Sequence, residues 1–437
     1  MRTLISLGVS AAVVLSAGLA GAQPIPSARP EQVGFSPERL ARITPTFKSE
    51  VDQGRLPGAV IVVARKGKVA YFETVGFRDK AAGAPMTKDA IFRIYSMTKP
   101  LASVAAMILV EDGKIQLTDP VSKYLPALKN LQVSVPKPDA TYAKLGYVAV
   151  PAEREPTVQD LLRHTAGLAY YEITTNTPVK EAFVKSGFYN PQGQPFDQRD
   201  LTPAEYVERL AKAPLVHQPG TVWEYSVAVD VVGRVVEAAA GATLGKVLET
   251  RLFEPLKMAD SGFWVPAQKM GRLAQPLDKD PMTGAPIKLI DVSAPPKNDS
   301  GGAGGVSTAS DYLAFAQMLL GGGRLNGARV LSRNTVALMT SDHLGSKILE
   351  AGTTPGELLL GTPGYTFGLG FAVRREAGLA GVPGSAGEFM WAGYAGTYFW
   401  VDPKEEIVGV LMTQAPGPQR VYYRKLFKAL VYQALND

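Results

Sequence analysis

The chain has 437 residues, 46% of them apolar and 20% charged, with a formal net charge of +6 and no cysteine. This is the balance of a globular protein able to bury a sizeable core, and it excludes a disordered chain. The missing cysteines exclude disulfide scaffolding, thiolate catalysis and cysteine-held metal, and the scattered basic residues lack the aromatic-interleaved runs of a nucleic-acid surface.

In chain order, Arg2, the mostly apolar residues 4–19 and the small Ala20-Gly21-Ala22 predict an export signal cleaved after Ala22, leaving a periplasmic or secreted product. The alternative is an uncleaved anchor, but the apolar run barely reaches the roughly 18 to 20 residues of a span. A lipid-anchored form is excluded by the absence of cysteine. Residues 23–437 then read as one unit with no internal repeat. Ser36 followed by Pro37 marks a helix start. Residues 59–64 and 69–74 are β-rich and flank Arg65-Lys66-Gly67-Lys68, a hairpin signal. Residues 101–110 are nearly all apolar and predict a buried helix.

From about 111 to 300 helical patterns alternate with Pro/Gly-rich connections. Thr202-Pro203-Ala204-Glu205 is a capping box opening a helix to about residue 213. Asp230, Arg234 and Glu237 share one stripe of a helix predicted over about 226–240. A glycine-rich turn after Gly301 leads to a helix over 309–320 that stops at Gly321-Gly322-Gly323. Residues 397–401 and 407–413 return to strand-like sequence, and a helix from about Val421 closes the chain. Strands near both ends and helices between them predict an α+β fold. An antiparallel sheet flanked by helices takes residues 30–110 and 301–437, and an inserted, mostly helical part takes 111–300.

The chemistry centres on Ser96-Met97-Thr98-Lys99. Residues three apart share a helix face, so the Lys99 amine can reach the Ser96 hydroxyl. Pro100 is tolerated only near a first helical turn, which starts the helix close to Ser96 and sets the hydroxyl in the positive field of that terminus. The same field and burial lower the lysine pKa and leave it able to accept a proton. A second Ser-x-x-Lys, Ser134-Val135-Pro136-Lys137, has proline before the lysine and no apolar run behind it, and reads as loop. The three histidines, His164, His217 and His343, show no metal-ligand spacing. No Gly-x-Ser-x-Gly elbow accompanies His164, which reads as a structural helix terminus.

Together with Ser96 and Lys99, four further ordered segments carry a family resemblance: Leu161-Leu162-Arg163-His164-Thr165-Ala166-Gly167-Leu168, Pro219-Gly220-Thr221-Val222-Trp223-Glu224-Tyr225-Ser226, Gly304-Gly305-Val306-Ser307-Thr308-Ala309-Ser310-Asp311-Tyr312, and Trp391-Ala392-Gly393. From about Val33 to its end the chain resembles the serine β-lactamase-like hydrolases, which include penicillin-binding proteins, and within them class C β-lactamases and family VIII carboxylesterases. The resemblance implies that Tyr225 is the second catalytic residue, relaying protons with Lys99. It also implies that Trp391-Ala392-Gly393 occupies the family's Lys-Thr-Gly strand, with the backbone N–H groups of Ser96 and Tyr394 forming the oxyanion hole.

Two departures bear on substrate. Val227 stands where β-lactamases usually keep asparagine, and Trp391 replaces the lysine that would engage a lactam carboxylate. Trp391 and Gly393 are therefore expected to border the substrate, with Trp391 an aromatic wall suited to neutral acyl groups, or else to be simple core packing. The expected activity is ester hydrolysis through a serine acyl-enzyme, with weak lactam turnover. The alternatives are a β-lactamase, a D-amino-acid peptidase, or a non-catalytic penicillin-recognising scaffold. No cofactor is implied, and the expected partner is a small ester, lactam or short peptide, with no nucleic acid and no membrane span in the mature protein.

Overall fold

The computed structural model describes residues 25–137, 146–350 and 364–436. The expected signal at 1–22 lies outside the described residues. Eight strands form one antiparallel sheet: β1 (Gly58–Arg65), β2 (Lys68–Asp79), β3 (Ala84–Pro85), β4 (Tyr365–Phe367), β5 (Ala372–Arg374), β6 (Phe389–Ala392), β7 (Tyr398–Asp402) and β8 (Ile407–Thr413). Their spatial order is β4-β5-β6-β7-β8-β1-β2-β3. The two ends of the chain meet where β1 pairs with β8, from Ala59 opposite Thr413 to Arg65 opposite Ile407.

β1 is buried along its whole length, which is why it reads as a continuous apolar run rather than an alternating one. The expected hairpin is present, and both turn residues, Lys66 and Gly67, have positive φ, the handedness that matches strand twist. The short strands β3, β4 and β5 have no counterpart in the sequence reading, because two or three residues show no periodicity.

Seven helices matter for the site: α1 (Ile43–Asp52), α2 (Thr98–Glu111), α3 (Val158–Leu162), α4 (Pro203–Leu210), α5 (Ala228–Ala240), α6 (Ala309–Leu320) and α7 (Gln419–Tyr432). Neighbouring β7 residues separate α6 from α7. Phe399 packs on Tyr312 and Phe315 of α6, whereas Trp400 packs on Phe427 and Tyr432 of α7. Successive strand residues face opposite sides, so the two helices cover opposite faces of the sheet. The capping box at Thr202 and Glu205 is formed, and α4 ends at Leu210, three residues short of the expected limit. The α2 helix packs against α5, and nearly every residue of α2 is buried.

One expectation is corrected. Ser134, read as loop, lies in a strand (Gln132–Pro136) paired with Tyr147–Pro151. Val133 and Val135 alternate about it, and its Oγ meets Asn176 Oδ1 at 2.9 Å. Among the described residues no helix is long and apolar enough to cross a membrane.

Candidate active site

Ser96 sits in a single 3-10 turn, Tyr95–Met97, that runs directly into α2. Tyr95 precedes it with φ of 44°, a left-handed conformation that costs a non-glycine residue about 1–3 kcal/mol. Burial holds it there: its hydroxyl accepts a hydrogen bond from the Ile290 amide at 2.9 Å, and its ring packs 5.4 Å from that of Tyr394. Thr98 ties down the same turn, donating to the Tyr95 carbonyl and accepting from the Gly305 amide. Pro100 is the third residue of α2, so it removes no helical hydrogen bond.

One turn on, the Lys99 side chain is 1% exposed. Its Nζ lies 3.3 Å from Ser96 Oγ, 3.0 Å from the Tyr170 hydroxyl and 2.8 Å from the Gly302 carbonyl. Among the described residues no carboxylate touches it. Burial pushes its pKa down to about 7, against a weaker opposing pull from Asp230. Asp230 acts at one remove, its Oδ1 accepting from the Gly302 amide at 3.0 Å and from Ser300 Oγ at 2.5 Å. A side chain at 302 would collide with Asp230, its Cβ lying 2.0 Å from Oδ2, so glycine is required for this approach. The stripe residue Asp230 thus fixes the carbonyl that orients Lys99.

The Tyr225 hydroxyl donates to Ser96 Oγ at 2.6 Å. Burial raises its pKa well above the usual phenol value, opposed by the bond to Ser96, so at neutral pH it is a proton donor. The ammonium carbon stem of Lys99 brings Nζ 4.5 Å from the centre of the Tyr225 ring. Ser96, Lys99 and Tyr225, far apart in the chain, are therefore brought into one hydrogen-bonded cluster. Tyr170 completes it, and the sequence reading did not single it out. It lies six residues beyond His164 in a stretch with no periodicity, and only the folding of that stretch over α2 carries its hydroxyl to Lys99.

Trp391 is 2% exposed and packs 5.5 Å from the Tyr225 ring and 5.3 Å from that of Phe367. Its buried ring therefore backs Tyr225, the hydroxyl-bearing ring that reaches Ser96. Gly393 is needed for close approach: a Cβ there would lie 2.3 Å from the Ile94 carbonyl and 2.2 Å from Thr397 Oγ1. This contact sets the end of β6 against the turn that carries Ser96. The amides of Ser96 and Tyr394 have no hydrogen-bond acceptor among the described residues.

The histidines lie in three separate settings. His164, just past α3 with φ of 56°, is buried, with Nδ1 3.3 Å from Ser226 Oγ and its ring 4.9 Å from that of Tyr225. Burial and Lys99 hold its pKa well below the imidazole range, so it is a neutral support behind Tyr225. His217 pairs with Glu224 at 2.7 Å, and His343 lies 3.2 Å from Gln159.

This arrangement can be set beside known proteins. A sequence profile of the Beta-lactamase family matches residues 43–433. An uncharacterized protein of Mycobacterium tuberculosis is 36% identical over 381 residues, covering 84% of this chain and 88% of its own length. Esterase EstB of Burkholderia gladioli is 31% identical over 380 residues, covering 85% and 90%. The solved structure of EstCE1, a hydrolase with promiscuous acyltransferase activity, superposes with a TM-score of 0.72 at 29% identity, over 90% of this chain and 99% of that one. Similarity sustained along most of both chains, in sequence and in fold, means that this chain belongs to the beta-lactamase family of serine hydrolases.

Proposed function

We propose that the protein hydrolyses carboxylic esters through an acyl-enzyme on Ser96. The observation that carries this reading is the position of Ser96 Oγ between a buried lysine of lowered pKa at 3.3 Å and a phenol at 2.6 Å. Neutral Lys99 takes the Ser96 proton as Oγ bonds to the ester carbonyl carbon, and the carbonyl π electrons move to oxygen. The resulting oxyanion is held by the amides of Ser96 and Tyr394. On collapse the bond to the alcohol oxygen breaks, and that oxygen takes the Tyr225 proton, which protonated Lys99 replaces. Water then attacks the acyl carbon, giving a proton to the same lysine; on collapse the bond from that carbon to Ser96 Oγ breaks, protonated Lys99 returns the proton to Oγ, and the acid leaves with Ser96 and neutral Lys99 restored.

Three things favour an ester over a lactam or peptide. No lysine stands at position 391, Val227 replaces the asparagine a β-lactamase would use, and two of the similar proteins are an esterase and a hydrolase with acyltransferase activity.

Rates on short p-nitrophenyl esters, a chromogenic cephalosporin and a D-alanyl peptide, each repeated with Ser96→Ala, test the proposal. The esters are expected to turn over fastest, with Ser96→Ala reducing that rate by about 10⁴-fold or more. A faster rate on the cephalosporin or the peptide would reassign the substrate, and ester turnover surviving Ser96→Ala would remove the nucleophile. Mass spectrometry after a fluorophosphonate probe separates an enzyme, labelled at Ser96, from a folded scaffold that stays unlabelled.

A further inference from the structure

Arg424, on α7, reaches the opposite side of the peptide that joins Gly393 to Tyr394. Its Nη2 donates to the Gly393 carbonyl at 2.7 Å. That carbonyl and the Tyr394 N–H are the two ends of one peptide group. A charge-assisted bond on the oxygen draws electron density along the amide and makes the N–H a stronger donor. The Gly396 amide donates to the same Gly393 carbonyl at 3.1 Å, and the preceding peptide is fixed by the Gly393 amide bonding to the Thr397 carbonyl at 2.8 Å, so the carbonyl end of the Gly393–Tyr394 peptide is held in place.

The charge on Arg424 is costly where it sits. Its Nε is shut off from solvent and has no hydrogen-bond partner. Burial and the neighbouring Arg420 push its pKa down to about 9, against weaker pulls from Tyr398 and Tyr225, so it remains a cation at neutral pH. Arg420, whose guanidinium lies 5.1 Å from the Tyr394 ring centre, adds a second positive charge and no compensation. Elsewhere the protein behaves differently: the fully buried Arg374 faces Glu388 at 3.5 Å. Among the described residues no carboxylate pairs with the partly buried Arg424, so its charge is left uncompensated in the resting protein.

We propose that Arg424 is a positioning residue that orients and polarises the Gly393–Tyr394 peptide for the reaction, so that the Tyr394 N–H holds the oxyanion. This rests on the proposed role of the Tyr394 amide. Arg424 touches no substrate atom; it acts through the peptide, and its positive charge is offset only when the tetrahedral oxyanion forms at the other end.

The test uses the full-length protein with Arg424→Lys, Arg424→Gln and Arg424→Met. Each is also combined with replacement of Tyr394 by its α-hydroxy acid through stop-codon suppression, which removes the N–H and keeps the side chain. Measured are kcat and KM for p-nitrophenyl butyrate, the rate of Ser96 phosphonylation by a fluorophosphonate, and Tm. Arg424→Met is expected to lower kcat by about 10-fold with KM changed by less than about twofold, and to slow phosphonylation in parallel. Lys is expected to retain more activity than Gln, and Gln more than Met, so that folding failure of the Met variant leaves two others to read. In the α-hydroxy acid background the Arg424 substitutions are expected to have no further effect on kcat.

Equal losses in both backgrounds would overturn the proposal, as would an unchanged kcat in a folded Arg424→Met protein. A rise confined to KM, and only for esters bearing a carboxylate, would instead make Arg424 an anion-binding residue and also overturn it. Full activity in the α-hydroxy acid variant alone would show that the Tyr394 amide is not a donor, a failure of the underlying reading distinct from a failure at Arg424.

Discussion

Among the described residues two lysines are buried almost completely, and the protein treats them in opposite ways. Lys99, 1% exposed, is surrounded by a hydroxyl, a phenol and a carbonyl, with no carboxylate in contact among the described residues. Lys428, 2% exposed on α7, forms an ion pair with Glu388, which also meets Arg374 and the Tyr365 hydroxyl. Burial lowers the pKa of both, but at Lys428 Glu388 opposes the shift, whereas at Lys99 only the more distant Asp230 does. Desolvation alone makes a base; desolvation with a counter-ion makes a structural clamp. The clamp joins α7 to the far strands of the sheet, where Arg374 also donates to the carbonyls of Glu376, Val382 and Pro383 and so holds the loop between β5 and β6.

Exchanging each lysine for an apolar residue of similar length should separate the two roles. Lys99→Met is expected to lower kcat/KM on short esters by about 10³-fold while leaving Tm unchanged or higher, because it removes a desolvated amine and breaks no ion pair. A large loss of Tm would mean that Lys99 is a structural residue after all. Lys428→Met breaks the buried ion pair with Glu388 and leaves that carboxylate only Arg374 at 3.5 Å as a charged partner among the described residues, and should cost about 3–5 kcal/mol in urea unfolding. The kcat of the protein that remains folded should be unchanged.

Titration sharpens the same contrast. With a folded pKa of about 7, Lys99 is neutral above that pH and protonated below it, so kcat/KM should rise as pH increases to about 7 and level off above. The linked effect on stability has the same sign. Between about 7 and the ordinary lysine value of 10.5 the unfolded chain binds the proton and the folded chain does not, so stability from this group rises with pH across that window. Lys99→Met should flatten that slope in pH-dependent urea melts, whereas an unaltered slope would contradict the lowered pKa. The smallest effect is expected for Tyr170→Phe. It removes one hydrogen bond to Lys99 and should lower kcat by about fivefold and shift the acid limb of the pH profile. A Tyr170→Phe profile superimposable on that of the parent would make Tyr170 mere packing.

The parts of the fold that could be read in advance are those in which local chemistry decides. The β1–β2 hairpin follows from Arg65-Lys66-Gly67-Lys68 between β-rich runs, α4 from its capping box, and α6 from an amphipathic run between a glycine-rich turn and a glycine triplet. Strands β4 and β5 were not legible because they are three residues long and exist only by pairing with β6. Ser134 was misread for a related reason: proline before Lys137 and the lack of an apolar run behind it argued against a helix start, but the segment pairs as a strand of a two-stranded sheet, where proline at the end of the strand is tolerated.

At the site, sequence by itself determined the Ser96–Lys99 pair, since three-residue spacing at a helix start places both groups on one face whatever surrounds them. Resemblance located Tyr225 and the end of β6, but not their surroundings. Only the tertiary structure decided that Lys99 has no contacting carboxylate among the described residues, that Tyr170 and the Gly302 carbonyl share its amine, that Trp391 packs against the Tyr225 ring, and that Arg424 lies behind the Tyr394 peptide. Spacing along a helix is set by its 3.6-residue repeat, but burial and charge compensation depend on which distant segments pack together, and those are what set the pKa of a lysine or the polarity of an amide.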